Sequence, residues 1–314
     1  MKRILVAMDL TEADYRLLDY VRLLGEEYPL EKVYFLHISP QLEIPLYAKN
    51  WFADETIIPI DERIKEEMDR EIRLKIKPGL FDYELDVLEG NVTEQLLHWS
   101  KVKQTELTIV GKKELHLGSG LAAKRFLHRS TASVLFVPEM AKSKVRKIMV
   151  PTDFSDFSDL AIKQAIELGV RMQPTPTIQL VNVYDIPNGV HYQISRTREQ
   201  FATMVRENVK EYADKYLAEV DAKGLNVEIK LVENTEYNTS RHIIDHARKE
   251  KTDLIIMGAK GHNVIERLLL GSVTEKMLTT NHLVPMLIVR PQPKPEEEDK
   301  VIISDSRQDL FQSI

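Results

Sequence analysis

The chain says nearly the same thing twice, and that doubling constrains its fold more than any other feature. Residues 3–9, Arg-Ile-Leu-Val-Ala-Met-Asp, return as residues 147–153, Lys-Ile-Met-Val-Pro-Thr-Asp. Glu106-Leu-Thr-Ile-Val-Gly111 returns as Asp253-Leu-Ile-Ile-Met-Gly258, and Ala132-Ser-Val-Leu-Phe-Val-Pro138 as Val284-Pro-Met-Leu-Ile-Val-Arg290. The three echoes keep their order and almost their spacing, so the 314 residues divide into two similar units, each of ordinary domain size. The expected boundaries are 1–140 and 145–291, with the joint near Glu139–Arg146. Beyond them Pro291, Pro293 and Pro295 alternate before Glu296-Glu-Glu-Asp299. Residues 292–314 therefore read as an acidic, Pro-rich tail, in which Val301-Ile-Ile303 alone has strand character.

Within each unit short apolar runs alternate with stretches of helical period. The second holds strands at Lys147–Pro151, Ile178–Val183, Val227–Val232, Leu254–Met257 and Met286–Val289. Helices are expected over Ser155–Met172, Ser195–Lys223 and Thr239–Lys249, and from about Val273. In the long helix, Phe201, Met204, Val205, Val209, Tyr212, Tyr216 and Leu217 share one side. Strands of the first unit are Ile4–Met8, Val33–Ile38, Tyr83–Leu88, Leu107–Val110 and Val134–Val137. Strands separated by helices imply a parallel sheet covered on both faces, because parallel neighbours need crossover connections. Uninterrupted apolar runs suit strands buried on both sides. The segment Ser39–Pro59, with Trp51 and Phe52, is long for a connection; it suits a loop folded onto its own unit, with a lid or partner-docking segment as the alternative.

Composition then removes several function classes. There is no cysteine, so disulfides, thiolate metal sites and thiol nucleophiles are excluded. A formal charge of −6 opposes non-specific attraction to nucleic acid or anionic lipid. No run approaches the ~18–20 apolar residues of a membrane span, and the opening residues lack the apolar core of a secretory signal. A cytoplasmic protein is expected.

The chemical signal runs from Gly258 to Val273: Gly258-Ala-Lys-Gly261-His262-Asn-Val-Ile-Glu-Arg-Leu-Leu-Leu-Gly271-Ser272-Val273. Two glycines follow a buried strand, and a Gly-Ser pair opens the next helix. Glycine admits close backbone approach and positive φ. Helix N-terminal amides make an anion site, to which Ser272 would add a hydroxyl and serve as a cap. A phosphate chain is the ligand such an arrangement suits. Taken singly, each glycine is as well explained by a strand end or a helix cap, and Asp153 by an N-cap.

Gly-x2-Gly-x9-Gly-Ser/Thr is the nucleotide signature of the universal stress protein family, and Gly258, Gly261, Gly271 and Ser272 fill it without a gap. Val150-Pro-Thr-Asp153-Phe-Ser-Asp156 resembles that family's first strand and turn. The resemblance implies an α/β fold of two tandem Rossmann-like, HUP-type domains, each a five-stranded parallel sheet of order 3-2-1-4-5 with helices on both faces. It implies an adenine nucleotide, ATP or a relative with Mg2+ as companion, at the switch point of the C-terminal unit. There Asp153 would contact the adenine, with Pro151 and Thr152 beside it and Val183 packed on the ring. Met257 would lie near the ribose, while Gly258, Gly261, Gly271, Ser272 and Val273 wrap ribose and phosphates. His262 lies inside the same loop and suits either a phosphate contact or plain exposure. The family also implies pairing through fifth strands, here Val134–Val137 with Met286–Val289 as an intramolecular pseudo-dimer, and a homodimer beyond it.

The first unit departs from the signature. Asp9 and Gly111 match Asp153 and Gly258, but Ala7 and Met8 replace Pro151 and Thr152, and Glu114 stands where Gly261 would be. A carboxylate there repels phosphates. Gly118-Ser119-Gly120 retains at most a small-anion site, and the first unit is expected to bind nucleotide poorly. Neither a P-loop signature nor a Rossmann Gly-x-Gly-x2-Gly occurs. His242 and His246, four apart on a helix, lack a third metal ligand and read as a solvated face. No nucleophile–base pair falls near the phosphates. The sequence thus indicates a nucleotide-dependent regulatory switch of the stress-response type with at most slow hydrolysis. Its rivals are a scaffold to which nucleotide is incidental and a genuine slow ATPase.

Overall fold

The computed structural model describes residues 2–42, 59–112, 119–188, 190, 196–260 and 270–291, with side chains 119–123 left aside. The segment 43–58, Glu114, Gly118, Gly261, His262 and the tail 292–314 lie outside them. The first half comprises β1 (Arg3–Met8), α1 (Ala13–Glu27), β2 (Lys32–Ser39), α2 (Ile60–Lys75), β3 (Tyr83–Glu89), α3 (Val92–Val102), β4 (Leu107–Lys112), α4 (Ser119–Arg129) and β5 (Ser133–Pro138). The second comprises β6 (Lys147–Pro151), α5 (Asp156–Gly169), β7 (Thr177–Tyr184), α6 (Arg198–Glu219), β8 (Val227–Glu233), α7 (Thr239–Lys249), β9 (Leu254–Gly258), α8 (Ser272–Thr280) and β10 (Met286–Val289).

All ten described strands join one sheet of order β3-β2-β1-β4-β5-β10-β9-β6-β7-β8. Each half is a parallel array of order 3-2-1-4-5, as the family resemblance implies. The halves meet where β10 runs antiparallel to β5, with Met286, Leu287 and Ile288 opposite Phe136, Leu135 and Val134. Alternation along each strand divides the apolar residues between the two faces. Ile4 and Val6 with Ile148 and Val150 pack under α1, α2 and α5. Leu5 with Met149, Ile255 and Ile288 packs under α3, α4, α7 and α8. Both cores continue across the seam, because Leu135 and Leu287 serve one face and Val134 and Ile288 the other.

The connection between the halves is itself packed. Ala141 and Val145 are buried; the Asp253 carboxylate accepts from Lys142 Nζ at 2.7 Å and from the amides of Arg146 and Lys147 at 3.0 and 3.1 Å. Two helices are shorter than periodicity suggests. α5 starts at Asp156 because the Ser155 side chain caps it, accepting from the Ser158 amide. α6 runs only from Arg198 to Glu219, opened by a Thr197–Gln200 capping box. Tyr212, placed by its period on the buried side, is 56% exposed, since its ring stacks edge-on against Phe154 at the helix rim instead.

Candidate functional site

At the C-terminal half's topological switch point β6 and β9 are parallel neighbours, paired at Ile148–Leu254 and Met149–Ile255 in their first residues, and the pairing stops before their carboxyl ends. A cavity of about 370 Å³ opens there, within the ordinary range for small-molecule sites. Nine of the eleven residues singled out in the sequence line it: Pro151, Thr152, Asp153, Val183, Met257, Gly258, Gly271, Ser272 and Val273. The other two, Gly261 and His262, fall outside the described residues.

The floor begins with the turn after β6. Thr152 is buried, its amide bound to Val181 O at 2.9 Å and its carbonyl held by Asn182 Nδ2 at 2.9 Å. These two bonds carry the β6–β7 ladder one residue past the strand and set Asp153 at the cavity rim. The Asp153 Oδ1 then accepts from the Ser155 amide at 3.2 Å, Ser155 Oγ at 2.6 Å and Ser158 Oγ at 2.7 Å. Ser158 Oγ also accepts from the Asp153 amide at 3.1 Å. One carboxylate oxygen is thus immobilised by its own turn. Asp153 is no N-cap; Ser155 holds that place. Phe154 turns the corner at φ 60°, an unusual angle for an aromatic residue. Its ring is clasped edge-on by Tyr212 at 5.0 Å and Tyr216 at 4.9 Å, and Tyr216 donates its hydroxyl hydrogen bond to Asp159 Oδ1.

The opposite wall is the N-terminus of α8. Gly271, not Ser272, is the N-cap, extended at φ −69°, and no side chain caps the helix. Ser272 is the first helical residue instead. An N-terminus so built leaves its leading amides to whatever occupies the cavity, with the helix dipole behind them. The wall is pinned to β9 by Gly271 N to Ala259 O at 2.9 Å and Thr274 Oγ1 to Gly258 O at 3.1 Å. Gly258 has a different reason to be glycine than ligand approach: a Cβ there would lie 2.7 Å from the Phe157 carbonyl oxygen on α5.

The sequence reading missed Ser158, Val181, Thr239, Ile243, Lys260 and Thr274, all of which line the cavity. Ser158 was within reach, because the interval from Asp153 matches that from Asp9 to Asp14. Lys260 sits inside the glycine signature; it is buried, with Nζ 5.8 Å from the Phe157 ring centre, and brings positive charge to the cavity beside Asp153. Thr239 and Ile243 carry no local signal, since only the docking of α7 brings them in.

In the first half the same turn has other contents. Asp9 Oδ1 accepts from the Thr11 amide at 3.1 Å and Thr11 Oγ1 at 2.5 Å, and Leu10 takes φ 60°. His37 Nδ1 donates to Met8 O at 3.1 Å, the service Asn182 performs for Thr152. In the place of Ser158 stands Asp14, 1% exposed, accepting from the amides of Asp9 and Leu10 at 3.1 and 2.8 Å. Burial, and then the Asp9 charge, push the Asp14 carboxyl up to about 7, despite those two amides.

The histidines of α7 lie otherwise than on a solvated face. His246 is half-buried, and its Nε2–H donates to Gln179 Oε1 at 2.8 Å, while Gln179 Nε2 donates to Glu228. Burial lowers its pKa. The sheet beneath α7, not solvent, receives this side of the helix.

A doubly wound sheet with an uncapped helix N-terminus and a cavity at its switch point places the chain among α/β proteins of Rossmann-like architecture. Residues 144–290 match the universal stress protein family. A universal stress protein of Methanocaldococcus jannaschii is 31% identical over 153 residues, 49% of this chain and 85% of the relative. A second from that organism is 23% identical over 157 residues, 46% of this chain and 94% of the relative. The chain belongs to the universal stress protein family. Among solved structures, a universal stress protein of Archaeoglobus fulgidus superposes with a TM-score of 0.58 at 17% identity, over 92% of this chain and 98% of that one. A Pseudomonas aeruginosa protein of unknown function gives 0.59 at 14% identity over 96% of each. Those two likenesses extend across both halves and concern the fold.

No described helix is long and apolar enough to cross a membrane.

Proposed function

We propose that this chain is a stress-response regulatory protein whose C-terminal half, residues 145–291, binds an adenine nucleotide, ATP foremost, while its first half serves as a built-in partner. One observation carries the reading: the cavity at the β6–β9 switch point gathers the signature residues against an uncapped helix N-terminus. The residues present fit the ligand. Gly271, Ser272 and Val273 offer amides and a hydroxyl to phosphate oxygens, with the Lys260 ammonium as their counter-charge. Val183 and Ile243 supply apolar surface for a purine. Asp153, with one oxygen tied to its turn, is an acceptor of fixed direction for an exocyclic amine. Mg2+ would enter with the phosphates; among the described residues no group of three His, Asp or Glu could hold it alone.

The regulatory side of the reading lies in the β5–β10 seam, across which the two halves would act as an intramolecular pseudo-dimer. ATP shifts that arrangement only if one packing binds it better than another. The test is direct. The purified protein is denatured, any released nucleotide is identified by chromatography, and the refolded or emptied chain is titrated with ATP calorimetrically. One adenine nucleotide per chain supports the reading. No released nucleotide and no heat of binding would discard it and leave the scaffold.

A further inference from the structure

α8 is gripped at its far end by the other half of the molecule. Lys112, the last residue of β4, is buried, and its Nζ donates to the carbonyls of Leu278 and Asn281 at the C-terminal end of α8. Midway along the helix, Glu275 pairs with Lys124 at 2.9 Å and His128 at 2.7 Å, both on α4. Arg290, just past β10, returns the gesture by donating to Leu127 O of α4 at 2.7 Å. Each half therefore sends one buried cation to the C-terminal end of the other half's last helix. At its opposite end α8 borders the cavity described above.

We propose that Lys112 is a positioning residue for the C-terminal cavity, setting the phosphate-binding end of α8 from across the seam; the inference rests on the nucleotide reading above. A nine-residue helix is roughly 13 Å long and marginal by itself. Its place is set by what holds its ends. The N-terminal end is tied to β9 by Gly271 and Thr274, so the remaining freedom is a swing of the C-terminal end, which Lys112 suppresses. A buried ammonium persists only where carbonyls replace its water, and it also complements the negative end of the helix dipole. Burial draws its pKa down to about 8, which leaves it mostly charged at neutral pH. The sequence shows the asymmetry: Ala259 stands in the second half where Lys112 stands in the first.

Lys112→Met keeps the length and removes the donors. Affinities for ATP and for adenosine, which lacks the phosphates that α8 faces, are measured on wild type and variant. The expected result is an ATP affinity about tenfold weaker with adenosine held within about twofold, a coupling of ordinary size. Equal losses for both ligands would show general loosening and overturn the inference, as would no loss at all. Hydrogen exchange on the wild-type chain gives a second reading that needs no variant. Bound ATP, but not adenosine, should slow the amides around Leu278–Asn281 and of α4 near Leu127; protection that stops within the first turn of α8 overturns the inference. A wild-type chain that takes up adenosine and ATP without either pattern fails here alone, whereas one that takes up neither ligand fails the nucleotide reading as well.

Discussion

After β1 the chain passes Asp9 and turns through Leu10 at φ 60°, and after β6 it passes Asp153 and turns through Phe154 at the same φ. A hydroxyl two residues on, Thr11 or Ser155, ties back to the aspartate in both places. The two turns part at the fifth residue. Ser158 can accept from the backbone and donate to the carboxylate at once, so its aspartate is held without added charge. Asp14 accepts from the matching Asp9 amide and from that of Leu10 as well, but it has no proton to give unless it takes one up. Burying a second carboxylate beside Asp9 then makes this turn a poor neighbour for phosphates. The comparison teaches that a repeated backbone preserves the mould of a site while one side chain decides what the mould admits.

The largest effect should come from making the second half resemble the first. Gly261→Glu, which copies the position of Glu114, should weaken ATP binding by about 4 kcal/mol, roughly a thousandfold, through like-charge repulsion. Calorimetric titration reads this directly. The converse change, Glu114→Gly, should confer no affinity on the first half because Asp14 remains; ATP binding there would break the comparison.

Next in size is the seam, which treats the halves alike. Ile288, fully buried against β5, should cost about 3 kcal/mol as Ile288→Ala, read by urea unfolding as one shifted transition. Two separated transitions would mean that the halves unfold independently.

A smaller effect separates the turns by pH. The folded Asp14 carboxyl is raised from 3.8 to about 7 by burial, then by Asp9, with Glu71 of α2 adding to both. The folded chain therefore holds a proton that the unfolded chain releases. The stability this proton brings is complete below about pH 4 and is lost as pH rises through about 7. Asp14→Asn should flatten that window and gain ~1–2 kcal/mol at pH 8. Ser158→Asp should install the same dependence in the second half. Thermal unfolding across pH 4–8 decides, and an unchanged slope in both variants would refute the account. The smallest effect is Ser158→Ala, which removes one of the three hydrogen bonds to Asp153 Oδ1 and should weaken ATP by about fivefold, ~1 kcal/mol, beside an unaltered binding stoichiometry.

Much of this architecture is legible in the sequence because buried parallel strands write themselves as short apolar runs, and each run appears twice. The ladder ends Thr152, Asp153 and Gly258, and the helix entry at Gly271-Ser272, could be placed for the same reason. Boundaries were less legible. Ser195–Lys223 overruns α6 by three or four residues at each end, since the Thr197 capping box, not the apolar period, opens the helix. The role of Ser272 shifted to Gly271 because a cap is defined by backbone angles that two adjacent small residues can share.

Composition, period and spacing by themselves determined a doubled α/β chain, the order of its elements and the half of it that keeps an unbroken glycine signature, because these depend on local pattern and repetition. The β5–β10 pairing was implied by the family resemblance and not by local pattern; tertiary structure alone decided that Phe157 packs where a Gly258 side chain would go, and that Ser158, Lys260 and Ile243 meet at one cavity. It also decided that Lys112 reaches the far end of α8. Those facts turn on which surfaces pack and which buried polar groups find partners, and residues 166 apart in the chain leave no mark on one another's local sequence.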